Sequence, residues 1–202
     1  MSRSQEPQPV RLVVGQIYRE PAAAESCWRE LEERFGPLDF LSPVRPFDFT
    51  AYYERELGAS LLRRWGTFAR LLAPDGLTAV KLATNALEDR LRAGDKRTVN
   101  LDPGLLSAER LVLATGKNYV HRLYLGRGIF GDLTLIYARG SFQPLPWTYP
   151  DYQDPEAIGM FNRLRERYLL QLRRERGGVA SAGLGISGDV IETGPGRTSP
   201  GH

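Results

Sequence analysis

The sequence predicts an α+β domain, a mainly antiparallel sheet with about three helices packed on one face. Two observations carry that expectation. Three stretches repeat apolar residues at helical spacing, and around them short β-rich runs succeed one another across turn residues. The composition allows it: 202 residues, 42% hydrophobic and 25% charged, suffice for one ordinary core and exclude wholesale disorder, collagen and coiled coil. The expected division is a flexible N-terminus over 1–9, a single domain over 10–176 and a disordered Gly/Ser/Pro-rich tail over 177–202.

The first element, Val10-Arg11-Leu12-Val13-Val14-Gly15-Gln16-Ile17-Tyr18, is a β-branched run suited to an inner strand. A helix follows from Pro21, with Ala24, Cys27 or Trp28, Leu31 and Phe35 at helical spacing and Gly36-Pro37 as its stop. Leu38 to Tyr53, rich in Pro, Phe, Asp and Tyr, reads as short extended pieces joined by turns. Leu61 to Leu72 contains Gly66 and reads as a strand. Leu77, Val80, Thr84, Leu87 and Leu91 form the stripe of a second helix. Thr98–Leu101, Arg110–Ala114, Val120–Leu125 and Ile129–Tyr137 then read as an antiparallel meander. Ile158, Phe161, Leu164 or Arg165, Tyr168 and Leu172 mark the third helix, whose arginines largely face solvent.

Several functions are excluded. Cys27 is the single cysteine and His121 and His202 the two histidines, so neither an internal disulfide nor a Cys/His zinc cage can form, and no metal site is expected. The residues name no cofactor. A net charge of +3 is too small to indicate nucleic acid. With no signal-peptide core and no run of about 18 apolar residues, the expectation is a soluble cytoplasmic protein with no membrane partner. Gly183-Leu184-Gly185-Ile186-Ser187-Gly188 has the spacing of a dinucleotide fingerprint but lacks the surrounding βαβ unit. Around Gly116-Lys117 the phosphate-loop pattern fails, with Leu111 and Asn118 at its key positions.

The candidate chemistry lies beside the later strands. Asp102-Pro103-Gly104 reads as a strand end with its carboxylate at a turn mouth, either as a ligand contact or as a turn residue bonded to its own backbone. His121 is the histidine available for imidazole acid/base work within the folded part. If Gly126-Arg127-Gly128 is a three-residue turn, Leu125 faces Ile129, Tyr124 faces Phe130 and Arg122 faces Asp132; a two-residue turn sets His121 opposite Asp132 instead. The glycines favour the first register, which puts His121 on one side with Leu123 and Leu125. Lys81 and Asn85, with Glu88 and Arg92 a row further on, make a polar helix edge that is either solvated or functional. Lys96-Arg97, Lys117, Arg122 and Arg127 offer cations for a phosphate or carboxylate. Trp147 and Tyr149 belong to an aromatic-proline loop, 142–152, that either packs on the sheet edge or offers stacking surfaces.

A family resemblance rests on particular strings. Pro46-Phe47-Asp48-Phe49-Thr50 with Tyr52-Tyr53, Lys81-Leu82-Ala83-Thr84-Asn85 with Leu87-Glu88, and Asn100-Leu101-Asp102-Pro103-Gly104 come first. Leu111-Val112-Leu113-Ala114-Thr115, His121-Arg122-Leu123-Tyr124-Leu125 and Pro144-Leu145-Pro146-Trp147-Thr148-Tyr149-Pro150-Asp151-Tyr152 follow in order. Together, from about Val10 to Leu172, the chain resembles the bacterial family known as domain of unknown function 4416. That family is uncharacterised and supplies no catalytic residues; some members carry the label GTP-binding protein, so the resemblance implies nucleotide binding without a phosphate loop.

The leading functional expectation is therefore binding of a small anionic, phosphate-bearing ligand, a class that includes nucleotides. Lys81, Asn85, Lys117, Arg122, Trp147 and Tyr149 would bind it, with Asp102 and His121 supplying acid–base chemistry if there is turnover. Cys27, on an apolar helix stripe, reads as core. Two alternatives are a non-catalytic module that engages a protein partner through loop 142–152 and an RNA-binding protein using the last helix.

Overall fold

The structure is a computed structural model that describes residues 3–182. Its elements run β1 (Val10–Tyr18), α1 (Pro21–Phe35), β2 (Leu38–Leu41), β3 (Arg45–Pro46), α2 (Glu54–Leu57), β4 (Leu62–Leu72) and α3 (Leu77–Arg90). They continue as β5 (Val99–Leu106), β6 (Arg110–Thr115), β7 (Arg122–Gly126), β8 (Ile129–Ala138), β9 (Ser141–Pro144), α4 (Pro150–Gln153) and α5 (Pro155–Ala182). Chain contacts divide after Leu169. The first unit holds the sheet; in the second, Gln171 Nε2 donates to Glu175 Oε1 at 3.0 Å along the continuing helix. Helix α5 runs past Gly177, where the glycines suggested a stop, and the rest of the expected tail, with its Gly183–Gly188 pattern, lies outside the described residues.

The expected α+β fold is observed. Among the described residues nine strands form one sheet in the order β2-β4-β1-β5-β6-β8-β7, with β3 on β4 and β9 on β8, and every pairing is antiparallel. Strand β1 is buried at all nine positions. Its alternate residues Leu12, Val14 and Tyr18 join Cys27, Trp28 and Leu31 of α1 and Leu77, Val80 and Leu87 of α3 in one core. On the other face Trp65 of β4, paired with Gly15, meets the rings of Tyr152 and Phe161 edge-on at 5.8 and 6.1 Å. Helix α4 and the start of α5 therefore cover the second face. This corrects the expectation that all three long helices share one face: β1 is apolar at both parities, as a strand covered on both sides must be.

Two further corrections concern the later strands. The run after α3 is not a simple meander, because β6 pairs with β8 and β7 folds back along the outer side of β8. In that hairpin Arg122 faces Asp132 and Tyr124 faces Phe130, but Gly126 rather than Leu125 faces Ile129, across a bulge. Gly126, Arg127 and Gly128 all have positive φ (102°, 54° and 77°), so glycines flank the one strained non-glycine of the turn. Leu123 and Leu125 are consequently exposed rather than set beside His121 in a core. Asp102-Pro103-Gly104, expected at a turn, lies within β5, where Asp102 pairs with Gly15. Among the described residues no helix is long and apolar enough to cross a membrane.

Close packing between the layers is testable at Gly66, where an added Cβ would lie 2.6 Å from Trp28 Cζ3 and 2.7 Å from Cη2. Urea denaturation of Gly66→Ala is expected to show a loss of about 1–3 kcal/mol. Gly116→Ala, whose Cβ would meet nothing within 4 Å, should stay within about 0.5 kcal/mol of the parent.

Candidate functional site

The site begins where one ladder ends. Strand β5 pairs with β1 along Val99–Leu106, but its pairing with β6 starts at Gly104 opposite Leu113. Pro103 has no N–H to give a neighbour, so a proline is tolerated at this point and β5 and β6 part before it. A cavity of about 960 Å³ opens there, reached by side chains from both faces of the sheet. Lys81, Asn85 and Glu88 enter from α3, Arg63 and Asp151 from the opposite face, and Thr115 to Lys117 from the end of β6. Phe47, Phe49, Tyr52 and Tyr53 form an aromatic wall.

Arg63 is the deepest charge. Its side chain is 2% exposed, with Nη1 donating to Asp102 Oδ2 at 3.1 Å and Nη2 ion-paired with Asp151 Oδ2 at 3.1 Å. The guanidinium carbon lies 4.7 Å from the Trp65 ring centroid and 5.0 Å from that of Tyr152. Space for this comes from Gly15, where an added Cβ would be 2.7 Å from Arg63 Nη2 and 2.9 Å from Tyr152 Oη. Burial opposes the guanidinium charge, but its anionic surroundings, Asp151 and Asp102 among them, outweigh burial and raise the Arg63 pKa further. Burial also holds the Asp151 carboxyl above its ordinary range despite Arg63, and the nearby Asp102 charge adds to the rise. Asp102 is fixed through both oxygens, since Oδ1 accepts from Asn100 Nδ2 at 3.0 Å.

Two other networks flank this one. Arg97 donates to Glu88 at 3.0 Å, to Asn100 Oδ1 at 3.1 Å and, through Nε, to Glu56 at 2.7 Å. Glu88 also accepts from the Leu101 N–H at 2.6 Å, and burial raises its carboxyl pKa against the pull of Lys81, that N–H and Arg97. Lys81, 8% exposed, donates to the Leu101 carbonyl at 2.8 Å and, among the described residues, makes no ion pair. On the far side Asp132 Oδ2 receives Arg122 Nε at 2.8 Å and lies 3.2 Å from His121 Nε2. Arg122 also donates to the Lys117 carbonyl at 3.0 Å and to Tyr149 Oη at 2.8 Å. Lys117 Nζ stands 4.5 Å from the Tyr52 ring centroid.

Six sequence candidates thus line one cavity: Lys81, Asn85, Asp102, Lys117, Arg122 and Tyr149. His121 and Trp147 do not. Their rings stack at 4.7 Å and 8°, Trp147 Nε1 donates to the Leu133 carbonyl at 2.8 Å, and the pair braces Asp132 from behind. Of the remaining basic candidates Arg97 lines the cavity, while Lys96 and Arg127 do not. Along the polar edge of α3, Lys81 and Glu88 are buried rather than solvated, while Arg92 beyond them is exposed. Sequence reasoning missed Arg63, Asp151 and the aromatic wall; an arginine one place from Leu62 in a strand next to Trp65 was the available signal. Cys27 sits in the core as expected, and burial pushes its thiol up to about 12, which removes it as a nucleophile. No group of three His, Cys, Asp or Glu able to hold a metal occurs among the described residues.

The chain belongs to the family described as Domain of unknown function (DUF4416), whose profile matches residues 8–168. No curated protein and no solved structure matches it.

The Asp151 geometry carries a pH dependence. Because its folded pKa is raised, the stability it contributes is full below the unfolded carboxyl value of about 3.9 and is lost as pH rises through the folded value. Denaturant titrations at successive pH values should show parent stability falling relative to Asp151→Asn as pH rises across that window. A difference that stays flat or grows with pH would contradict the burial assigned to this carboxyl.

Proposed function

We propose that this family member binds a small phosphate-bearing ligand with a flat ring, of the nucleotide class, in the cavity between β5 and β6. The observation that supports it most is the meeting, in one cavity of about 960 Å³, of ammonium and amide groups with an open aromatic wall. Lys81, Asn85 and Lys117 present donors suited to phosphate oxygens, while Phe49 and Tyr52 expose ring faces on which a base can stack. Arg122, though committed to Asp132, Tyr149 and the Lys117 carbonyl, fixes the loop that carries Lys117.

Where a reaction follows binding, its acid–base work falls to Asp102 rather than His121. Asp102 reaches the cavity with its carboxylate fixed by Asn100 and Arg63, and burial makes the neighbouring Asp151 hold a proton more readily than an ordinary carboxyl. His121 is held between Asp132 and Trp147, away from the cavity lining. A cytoplasmic setting accords with the single, unpaired Cys27.

A second reading is docking of a protein partner, to which loop 142–152 offers the part-exposed rings of Trp147 and Tyr149, while its Phe142, Thr148 and Tyr152 are buried. Val120, 95% exposed just before β7, and Leu123, Tyr124 and Leu125 of that outer strand put apolar side chains in water. The RNA reading has less support. Arg165 lies 3.4 Å from the Tyr137 ring centroid and donates to the Ala108 carbonyl, and Arg167 donates to the Asp39 carbonyl, so these helix arginines serve the fold.

A thermal-shift screen of the full chain against nucleotides, sugar phosphates and carboxylates tests the ligand reading. At 100 times its dissociation constant, a ligand confined to the folded state stabilises by about 2.7 kcal/mol. The expected hit is a nucleotide whose shift disappears in Lys81→Met and shrinks in Arg122→Ala; a flat screen contradicts the proposal.

A further inference from the structure

We infer, resting on that cavity reading, that the anionic end of the ligand is a single phosphomonoester and that the site discriminates against polyphosphates. The cavity is lined by five cations and five carboxylates, so it is not a general basic pocket. Its positive charge divides sharply by commitment.

All three arginines are already engaged. Arg63 bridges Asp102 and Asp151 in a dry interior, Arg97 bridges Glu56 and Glu88, and Arg122 holds Asp132. Freeing any of them for a ligand strands a buried or half-buried carboxylate, which opposes binding. The two lysines differ: among the described residues neither Lys81 nor Lys117 makes a direct salt bridge, and their hydrogen bonds go to the Leu101 carbonyl and the Tyr52 phenol, although Lys81 also feels the charge of the buried Glu88. An ammonium has three donors, so each lysine keeps protons for an incoming oxygen.

Two ammonium groups outside any salt bridge can face the charge of about −1.5 to −2 on a phosphomonoester at neutral pH. Each further phosphate brings charge for which no free cation remains. Asp102, partly open to the cavity and held in place by Asn100 and Arg63, repels that surplus. The same fixed carboxylate accepts hydrogen bonds, so it favours ligand hydroxyl or amino donors over additional anions. Recognition then follows the difference between affinities, with the free lysines attracting and the fixed carboxylate rejecting.

Titration calorimetry on the full chain, with guanosine and adenosine and their 5′-mono-, di- and triphosphates, tests this. The monophosphate of the preferred base should bind about tenfold or more tighter than both its nucleoside and its triphosphate. Lys117→Ala, at an exposed side chain, should weaken the monophosphate by a larger factor than it weakens the nucleoside, and an equal loss for both would count against the phosphate contact. Asp102→Asn should narrow the gap between mono- and triphosphate, with circular dichroism melts confirming that it folds. A triphosphate that binds as tightly as the monophosphate, or an unchanged gap in Asp102→Asn, overturns the inference while the cavity reading stands. Absence of binding across the whole series overturns both.

Discussion

A guanidinium cannot be left alone in a dry interior, and the placement of Arg63 imposes that constraint on the surrounding chain. Removing the charge from water costs several kcal/mol, so the fold must supply anions and ring faces in fixed positions. It does so from four directions. Asp102 comes from β5, Asp151 from α4, the Trp65 ring from the same strand as Arg63, and β1 gives way at Gly15 to make room. The interaction therefore joins three neighbouring strands to the helix that covers them, and the cavity wall follows from it. A side chain at position 15 would close the space that the guanidinium occupies.

The second determinant is the parting of β5 and β6. A continuous ladder would separate α3 on one face from Arg63 and Asp151 on the other, but pairing stops at Gly104 and both sets reach one cavity. Buried pairs line it at three points, around Arg63, Arg97 and Arg122. Such pairs are modest contributors to net stability, yet each is costly to leave half-broken, so they act chiefly to fix geometry. Lys81 and Lys117 are the cations left over. The division of labour follows from chemistry, since planar guanidinium groups suit two-sided pairing and ammonium groups suit a movable ligand.

Elements whose sequence period matches their burial were legible: β1 as an inner strand, α1 with its Pro21 start and Gly36 stop, α3 and α5 by their apolar stripes. The pairing of Arg122 with Asp132 was also readable, because the glycines of a hairpin turn set its register. The failures have a common cause in long-range context. Asp102-Pro103-Gly104 carries turn chemistry locally, and nothing nearby reveals that β6 leaves just where the proline needs no partner. Arg63 gains its role only through Asp102 and Asp151, which are distant from it in sequence. His121 drew notice as the histidine within the folded part, but its ring is spent on Trp147 and Asp132. Helix position alone did surface Lys81 and Asn85; their convergence with Lys117 and Tyr149 depends on the β5–β6 gap.

The buried Arg63 charge and its two carboxylates form one mutually dependent unit. Urea denaturation at pH 7 of Arg63→Met and of the triple variant Arg63→Met/Asp102→Asn/Asp151→Asn tests it most directly. The single change should cost about 3–5 kcal/mol, because it strands two carboxylates, and the triple variant should regain most of that loss. A single variant within about 1 kcal/mol of the parent, the range of an exposed pair, or a triple variant no more stable than the single one, would contradict it.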